Sequence, residues 1–259
     1  MVKGIDLFRE RLGAFSDSYI VIGGTACDLA MEGRGGFRAT KDIDMIVVTE
    51  NVDADFAQAL HGFLREGRYE CYVSRDKRPH YYRFRAPKGS PYPFQIEMLS
   101  HSLIPEREDA RFTPIALDEG IRSLSAIVLD PVYYEFAKTH RDMTHGLPCL
   151  TGEALVVFKS AAYLNLREDR ERDPQSVRSE DMNKHRNDVF RLLGGITVSE
   201  PVALPEPILK RVAEFIRQMG TANAEWPDIE AAVGPFALTP EAYVEKYRAL
   251  FGIEIQNEK

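Results

Sequence analysis

The sequence is poor in the features that mark secreted, membrane-spanning or polyanion-coating proteins. Its three cysteines, Cys27, Cys71 and Cys149, are odd in number, widely spaced and free of any C-x-x-C pair. That argues against a disulfide framework or a cysteine zinc site and leaves three buried or inert thiols as the expectation. No apolar run, whether the one ending at Ile22 or the one around Val156, approaches the roughly 18 residues of a membrane span, so no membrane association is expected. The opening residues Met1 to Glu10 are charged and amphipathic, without the apolar core and small-residue cleavage site of a secretory signal. A cytoplasmic location is the simplest expectation. Basic charge is also in deficit: 33 Lys and Arg stand against 40 Asp and Glu, a net charge of -7. Such a chain carries no general coat of positive potential, and any RNA would have to bind at a local patch. The six histidines show no H-x-x-x-H spacing, and His140 and His145 read as ordinary surface residues. No internal repeat or low-complexity tract is present.

What remains is an ordinary globular composition, 44% hydrophobic and 28% charged over 259 residues, enough for one large domain or two modest lobes. The first half alternates between periods. Lys3 to Leu12 is spaced as a helix, Tyr19-Ile20-Val21-Ile22 as a short buried strand, and Thr25 to Met31 as a helix opening from the Gly23-Gly24 turn. Past a glycine-rich stretch at Gly33 to Gly36, Asp42 to Val48 reads as a strand with its polar end first, and Asp53 to Leu64 as an amphipathic helix. Tyr69 to Val73, Tyr81 to Arg85 and Phe94 to Leu99 follow as strands. Residues 1–118 are therefore expected to form an α/β lobe with a mixed sheet, and residues 119–259 a mostly helical lobe. In the second lobe Val132 to Phe136 is a short strand or helix and Thr151 caps a helix running to Arg167. Arg167 to Arg178 is an exposed, charged connection, and Ser179 starts a helix that Gly194-Gly195 stops. Pro205 to Met219 and Pro240 to Phe251 are the last two expected helices.

One stretch carries chemistry: Ile22-Gly23-Gly24-Thr25, then Arg38-Ala39-Thr40-Lys41-Asp42-Ile43-Asp44-Met45. Residues two apart in a strand share a face, so Asp42 and Asp44 project together. Paired carboxylates repel unless a cation sits between them, and a hard ion such as Mg²⁺ takes oxygen ligands and shares them with substrate phosphates. Gly23 and Gly24 let backbone N–H groups approach a phosphate, and the helix starting at Thr25 aims its positive end at the same anion. A third acid, Glu97, lies among apolar neighbours in Gln95-Ile96-Glu97-Met98-Leu99, where a carboxylate is costly unless it meets a polar site or a cation. Three acids can hold two metals for in-line displacement of pyrophosphate, with Glu97 either a ligand or the base. An isolated Asp-x-Asp usually only turns the chain; the glycine pair, the Arg-x-Thr prefix and the later acid favour the catalytic alternative.

These residues resemble the nucleotidyltransferase superfamily related to DNA polymerase β, in which a glycine pair and a helix precede an Asp-x-Asp strand and a later carboxylate. Arg38-x-Thr40-x-Asp42-x-Asp44 is similar to the AbiEii-type branch, which includes toxins of type IV toxin–antitoxin systems. The resemblance covers residues 18 to 193. It implies an α/β catalytic lobe and a helical lobe that completes the cleft, transfer of a nucleoside monophosphate from an NTP to an acceptor hydroxyl, and Mg²⁺ or Mn²⁺ on Asp42, Asp44 and Glu97. Gly23, Gly24, Thr25, Arg38 and Thr40 are its nucleotide-side residues. It further implies a lysine and an acid on the helical lobe facing the nucleotide, matched by Lys159 and Asp188, with the 3′ end of a tRNA as acceptor and an antitoxin as partner. Read without the resemblance, Lys159 crosses an apolar helix face toward phosphate or Asp188, an interhelical ion pair is the bland alternative, and Lys184 is one turn from Asp188. The basic stretch Arg75, Lys77, Arg78, His80, Arg83, Arg85 and Lys88, interleaved with Tyr81, Tyr82 and Phe84, could track an RNA backbone. The competing view packs Tyr82 and Phe84 inward and leaves Arg83 and Arg85 in water. Two rival functions remain: the same chemistry on a small molecule, as in aminoglycoside nucleotidyltransferases, and a non-catalytic nucleotide-binding protein.

Overall fold

A computed structural model describes residues 2–32, 37, 40–73, 79–100, 130–235 and 237–254, without the side chains of 71–82. The described chain divides into two compact units, residues 2–151 and residues 152–254.

In the first unit, α1 (Ile5–Leu12), β1 (Tyr19–Ile22), α2 (Gly23–Ala30), β2 (Asp42–Val47) and α3 (Ala54–Glu66) follow in order. Then come β3 (Glu70–Val73), β4 (Pro79–Arg85), β5 (Gln95–Leu99), α4 (Pro131–Thr139), β6 (Arg141–Thr144) and β7 (Leu147–Leu150). Among the described residues seven strands form one mixed sheet in the order β3-β4-β5-β2-β1-β7-β6. β1 lies near its middle and is buried on both faces, which is why its four residues read as a continuous apolar run rather than an alternation. β2 runs antiparallel to β1 and parallel to β5. Its pleat sends Ile43, Met45 and Val47 to the side that carries Tyr19, where the Tyr19 ring packs edge-on against Phe8 of α1 and stacks on Phe56 of α3. Phe63 joins them against Phe8, so the amphipathic faces of α1 and α3 close one side of the sheet. Asp42 and Asp44 are left on the other side.

The expected α/β lobe and mostly helical second part are found, with local differences that have identifiable causes. The boundary expected at residues 118 and 119 lies outside the described residues. Residues 131–150 belong to the sheet unit: α4 is a helix, not a strand, started by Asp130, whose carboxylate accepts from Val132 N at 2.8 Å. β7 then pairs in parallel with β1 through Val21 and Cys149. The β6–β7 hairpin escaped the sequence reading. Its turn is His145-Gly146, both at positive φ (51° and 77°), the backbone that a two-residue hairpin of matching twist requires.

The described residues of the second unit form five helices: α5 (Gly152–Arg172), α6 (Ser179–Gly195), α7 (Glu206–Gln218), α8 (Trp226–Val233) and α9 (Pro240–Phe251). α5 is its axis. From Ala154 to Leu164 every residue is buried, so the helix has no wet face and shows almost no amphipathic signature. The rings of Phe190, Phe215, Trp226, Tyr243 and Tyr247 form one cluster in tilted, edge and stacked contacts, and Tyr163 of α5 joins it edge-on against Phe215. α5 continues to Arg172 instead of ending at Arg167, because the charged residues there find partners along and across helices. Arg167 bonds Glu171 one turn on, and Arg211 of α7 reaches Glu168 and Asn165. Only 173–178 is left as the connection. Among the described residues no helix is long and apolar enough to cross a membrane.

Candidate active site on the polar face of the sheet

The register fixes which side chains meet. Asp44 lies opposite Ile22 on β1 and beside Glu97 on β5, and Glu97 lies opposite Arg83 on β4. One step along, Asp42 stands beside Gln95, which faces Arg85. Two parallel rows, Asp44-Glu97-Arg83 and Asp42-Gln95-Arg85, therefore share the face opposite α1 and α3, while Ile43, Ile96 and Phe84 between them are buried. A strand of alternating acids and apolar residues folds this way because only one of its faces can join the core.

Asp42 and Asp44 are both half-buried. At roughly 6.6 Å along the strand, two charged carboxylates repel by on the order of 2 kcal/mol at a near-surface dielectric. Two features of the chain sit against this repulsion. First, the N-terminus of α2 begins immediately after β1, its N-cap residue Ile22 makes no side-chain cap, and the partial positive charge of the helix start favours an anion there. Second, Asp44 lies directly against that terminus: a Cβ placed on Gly23 would come within 2.1 Å of Asp44 Oδ2. Gly23 also has φ +69°, so both backbone and space require glycine. Thr25, in the first turn of α2, donates its hydroxyl to the backbone carbonyl of Asp42 at 2.6 Å and is 1% exposed. This hydroxyl ties α2 to β2. Gly24 is buried beside it, and Thr40 is half-buried two residues before Asp42. Arg38 lies outside the described residues.

Glu97 does not stand as an open ligand. Arg83 Nε and Nη2 each donate to its Oε2 at 2.9 Å, and Arg85 Nε donates to Gln95 Oε1 at 2.9 Å. Among the described residues no group of three or more His, Cys, Asp and Glu is arranged to hold a metal. Two acids suffice for Mg²⁺, which is commonly held by one or two carboxylates together with substrate phosphates. Asp42 and Asp44 fit that requirement in donor chemistry and in sharing one face.

Of the basic stretch, Arg75, Lys77 and Arg78 lie outside the described residues, as do the side chains of His80, Tyr81 and Tyr82. Phe84 packs inward at 7% exposure, but Arg83 and Arg85 face the acid rows rather than open water. Sequence reading missed this contact. The only signal for it was the matching alternation of Arg83-Phe84-Arg85 with Gln95-Ile96-Glu97, which says nothing about register.

In the helical unit, Lys159 of α5 and Asp188 of α6 do meet. Lys159 Nζ donates to Asp188 Oδ2 at 3.0 Å, with side chains 2% and 0% exposed, and Arg191 Nη1 reaches Asp188 Oδ1 at 3.3 Å. A lysine inside a fully buried helix needs such a partner, and Ser160 beside it is satisfied by Tyr247 at 2.9 Å. Lys184 is not Asp188's partner; it pairs with Asp181 at 3.0 Å. Cys27 and Cys149 are buried as expected, and burial pushes the Cys149 thiol up to about 12, with the nearby Cys27 adding to it. Among the histidines, His140 stacks on Phe136 and His145 pairs with Glu32 at 2.6 Å.

Two solved structures are similar to this chain. One is an antigenic nucleotidyltransferase-like protein from Paracoccidioides brasiliensis, at 15% identity and a TM-score of 0.44 over 92% of this chain and 94% of that one. The other is the antibiotic-resistance factor ANT(2'')-Ia, at 15% identity and a TM-score of 0.31 over 70% and 81%. Both likenesses are distant, and neither decides the chemistry of this site. No family model and no curated protein sequence matches the chain.

Proposed function

We propose that the protein is a nucleotidyltransferase that moves a nucleoside monophosphate from an NTP to an acceptor hydroxyl and releases pyrophosphate. The observation that supports it is the placement of Asp42 and Asp44 on one face of β2, with Asp44 against Gly23 at the start of α2. Asp42 and Asp44 are the residues that would hold Mg²⁺, or Mn²⁺ in its place. Bound there, the ion supplies the positive charge that a triphosphate and its departing pyrophosphate need. Gly23 and Gly24 offer backbone N–H groups and the positive helix end to the same phosphates. Thr25 keeps α2 and β2 in register through the Asp42 carbonyl. Arg38 and Thr40 are assigned to the nucleotide by the resemblance of the Arg-x-Thr-x-Asp-x-Asp run to AbiEii-type enzymes. Lys159 and Asp188 are assigned by the same resemblance, their ion pair serving to hold the lysine's position.

Within that activity, the acceptor we favour is the 3′ end of a tRNA, and the physiological role that of a toxin restrained by a protein antitoxin. Both rest on the motif's resemblance. With a net charge of -7, RNA contact must be confined to a local patch. The test is incubation with each labelled NTP and either total tRNA or an aminoglycoside panel. Label on tRNA, lost in Asp44→Asn, is the expected result. Label on aminoglycosides alone would move the acceptor to a small molecule. Transfer retained by a folded Asp42→Asn/Asp44→Asn double variant would overturn the assignment.

A further inference from the structure

Asp44 and Glu97 are direct neighbours across β2 and β5, about 4.8 Å apart at the backbone, yet their carboxylates are drawn to opposite sides. Asp44 Oδ2 leans to the β1 side, against Gly23. Glu97 Oε2 leans to the β4 side, where two nitrogens of Arg83 take it at 2.9 Å each. Both members of this pair are substantially buried, with side-chain exposures of 26% for Arg83 and 14% for Glu97. Both contacts converge on one carboxylate oxygen, and each is a charge-assisted hydrogen bond. A cation recruited through Glu97 Oε2 would have to displace these contacts and separate two largely buried charges.

We propose that Arg83 withholds Glu97 from the Asp42–Asp44 cation site, so that the sheet supplies a two-acid site and Glu97 acts as a positioning residue for Arg83. This deepens the function proposed above and rests on it only for the identity of the cation site. The pair is electrically neutral as it stands. Removing both charges together therefore leaves the field at Asp42 and Asp44 nearly unchanged, whereas removing Arg83 alone releases a third carboxylate beside them.

Mn²⁺ alone serves as the probe, titrated into the full-length protein and read as free Mn²⁺ by electron paramagnetic resonance, with thermal melting of each variant alongside. Asp44→Asn is expected to weaken Mn²⁺ binding at least tenfold. The charge-neutral double variant Arg83→Gln/Glu97→Gln, in which the two amides can still bond each other, should stay within threefold of the parent. Arg83→Gln alone should tighten binding threefold or more, and adding Glu97→Gln should abolish that gain. A double variant that melts like the parent but loses Mn²⁺ as severely as Asp44→Asn would show Glu97 to be a ligand and overturn the inference. So would an Arg83→Gln variant with unaltered affinity. Unchanged binding in Asp44→Asn would instead remove the cation site itself, and with it the function proposed above, which keeps the two failures distinguishable.

Discussion

Replacing Gly23 by Ala perturbs the site through one added methyl group. Its Cβ would stand 2.1 Å from Asp44 Oδ2, whereas ordinary contact begins at 3.4 Å, so carboxylate and helix start must separate by about 1.3 Å. The backbone adds its own penalty, since φ is +69° and an L-residue in that region costs about 1–2 kcal/mol. The two effects separate in different assays. Strain lowers the melting temperature by a few degrees, at about 2–4 °C per kcal/mol for a protein of this size. Displacement of Asp44 acts on chemistry, where a misplacement of about 1 Å can cost on the order of 100-fold, equivalent to about 2.7 kcal/mol in the barrier. Pyrophosphate release under saturating NTP should therefore fall about 100-fold while the protein remains folded at 25 °C. Mn²⁺ affinity should fall in parallel, because the same carboxylate is moved. A Gly23→Ala protein that melts a few degrees lower but keeps parental turnover and Mn²⁺ affinity would show that Asp44 does not work from the position it holds against α2.

Other perturbations read the supporting structure. Thr25→Val removes the hydroxyl that bonds the Asp42 carbonyl while preserving shape; urea denaturation should show a loss of about 1–2 kcal/mol, and no loss would mean the tie is dispensable. Lys159→Met leaves Asp188 with only part of its compensation, from Arg191. A cost of about 3 kcal/mol is expected, with more than half recovered in Lys159→Met/Asp188→Leu, whereas a single-variant cost below about 1 kcal/mol would contradict a structural pair. Glu50 accepts from Tyr134 Oη at 2.6 Å and from Lys138 at 3.0 Å. Those contacts, Tyr134 first, lower its carboxyl from 4.5 to about 2. A lowered carboxyl stabilises the fold above its ordinary range and loses that contribution as pH falls from about 4.5 towards 2. The side chain is half exposed, so screening limits the effect to about 1 kcal/mol or less. Glu50→Gln should flatten the stability profile across that window and cost up to about 1 kcal/mol at pH 7, where the contribution is fully present; an identical slope in both proteins would refute the linkage.

Elements whose periodicity is set locally were legible in the sequence. β1 is apolar throughout because it is buried on both faces, and α3 is announced by its Asp53 cap, whose carboxylate accepts from Phe56 N at 2.8 Å, and by its apolar stripe. α9 has an equally local start at Thr239-Pro240, where the Thr hydroxyl accepts from Ala242 N at 3.3 Å. The elements that were misread depend on distant partners. The charged end of α5 is helical because Arg211, more than forty residues away, crosses to Glu168. β6 and β7 are strands because β1 offers an edge to Cys149, and Arg141-Asp142-Met143-Thr144 has no apolar alternation to reveal a strand.

The same division governs the site. Asp42 and Asp44 share a face by strand geometry alone, and two residues of sequence are enough to know it. Glu97 is a different case. That it sits in a strand follows from its neighbours, and that it lies beside Asp44 follows from the parallel pairing of β2 with β5. What it does depends on the register of a third strand, since shifting β4 by one residue would place Phe84 opposite Glu97 and turn Arg83 into the core. A carboxylate meeting that apolar ring would be free for a metal and costly without one; a carboxylate meeting a guanidinium is already satisfied. Composition cannot distinguish these outcomes, because Arg83, Phe84 and Glu97 are present in both. The hydrogen-bond ladder that sets Arg83 against Glu97 therefore decides whether two acids or three are open to the cation proposed for this face.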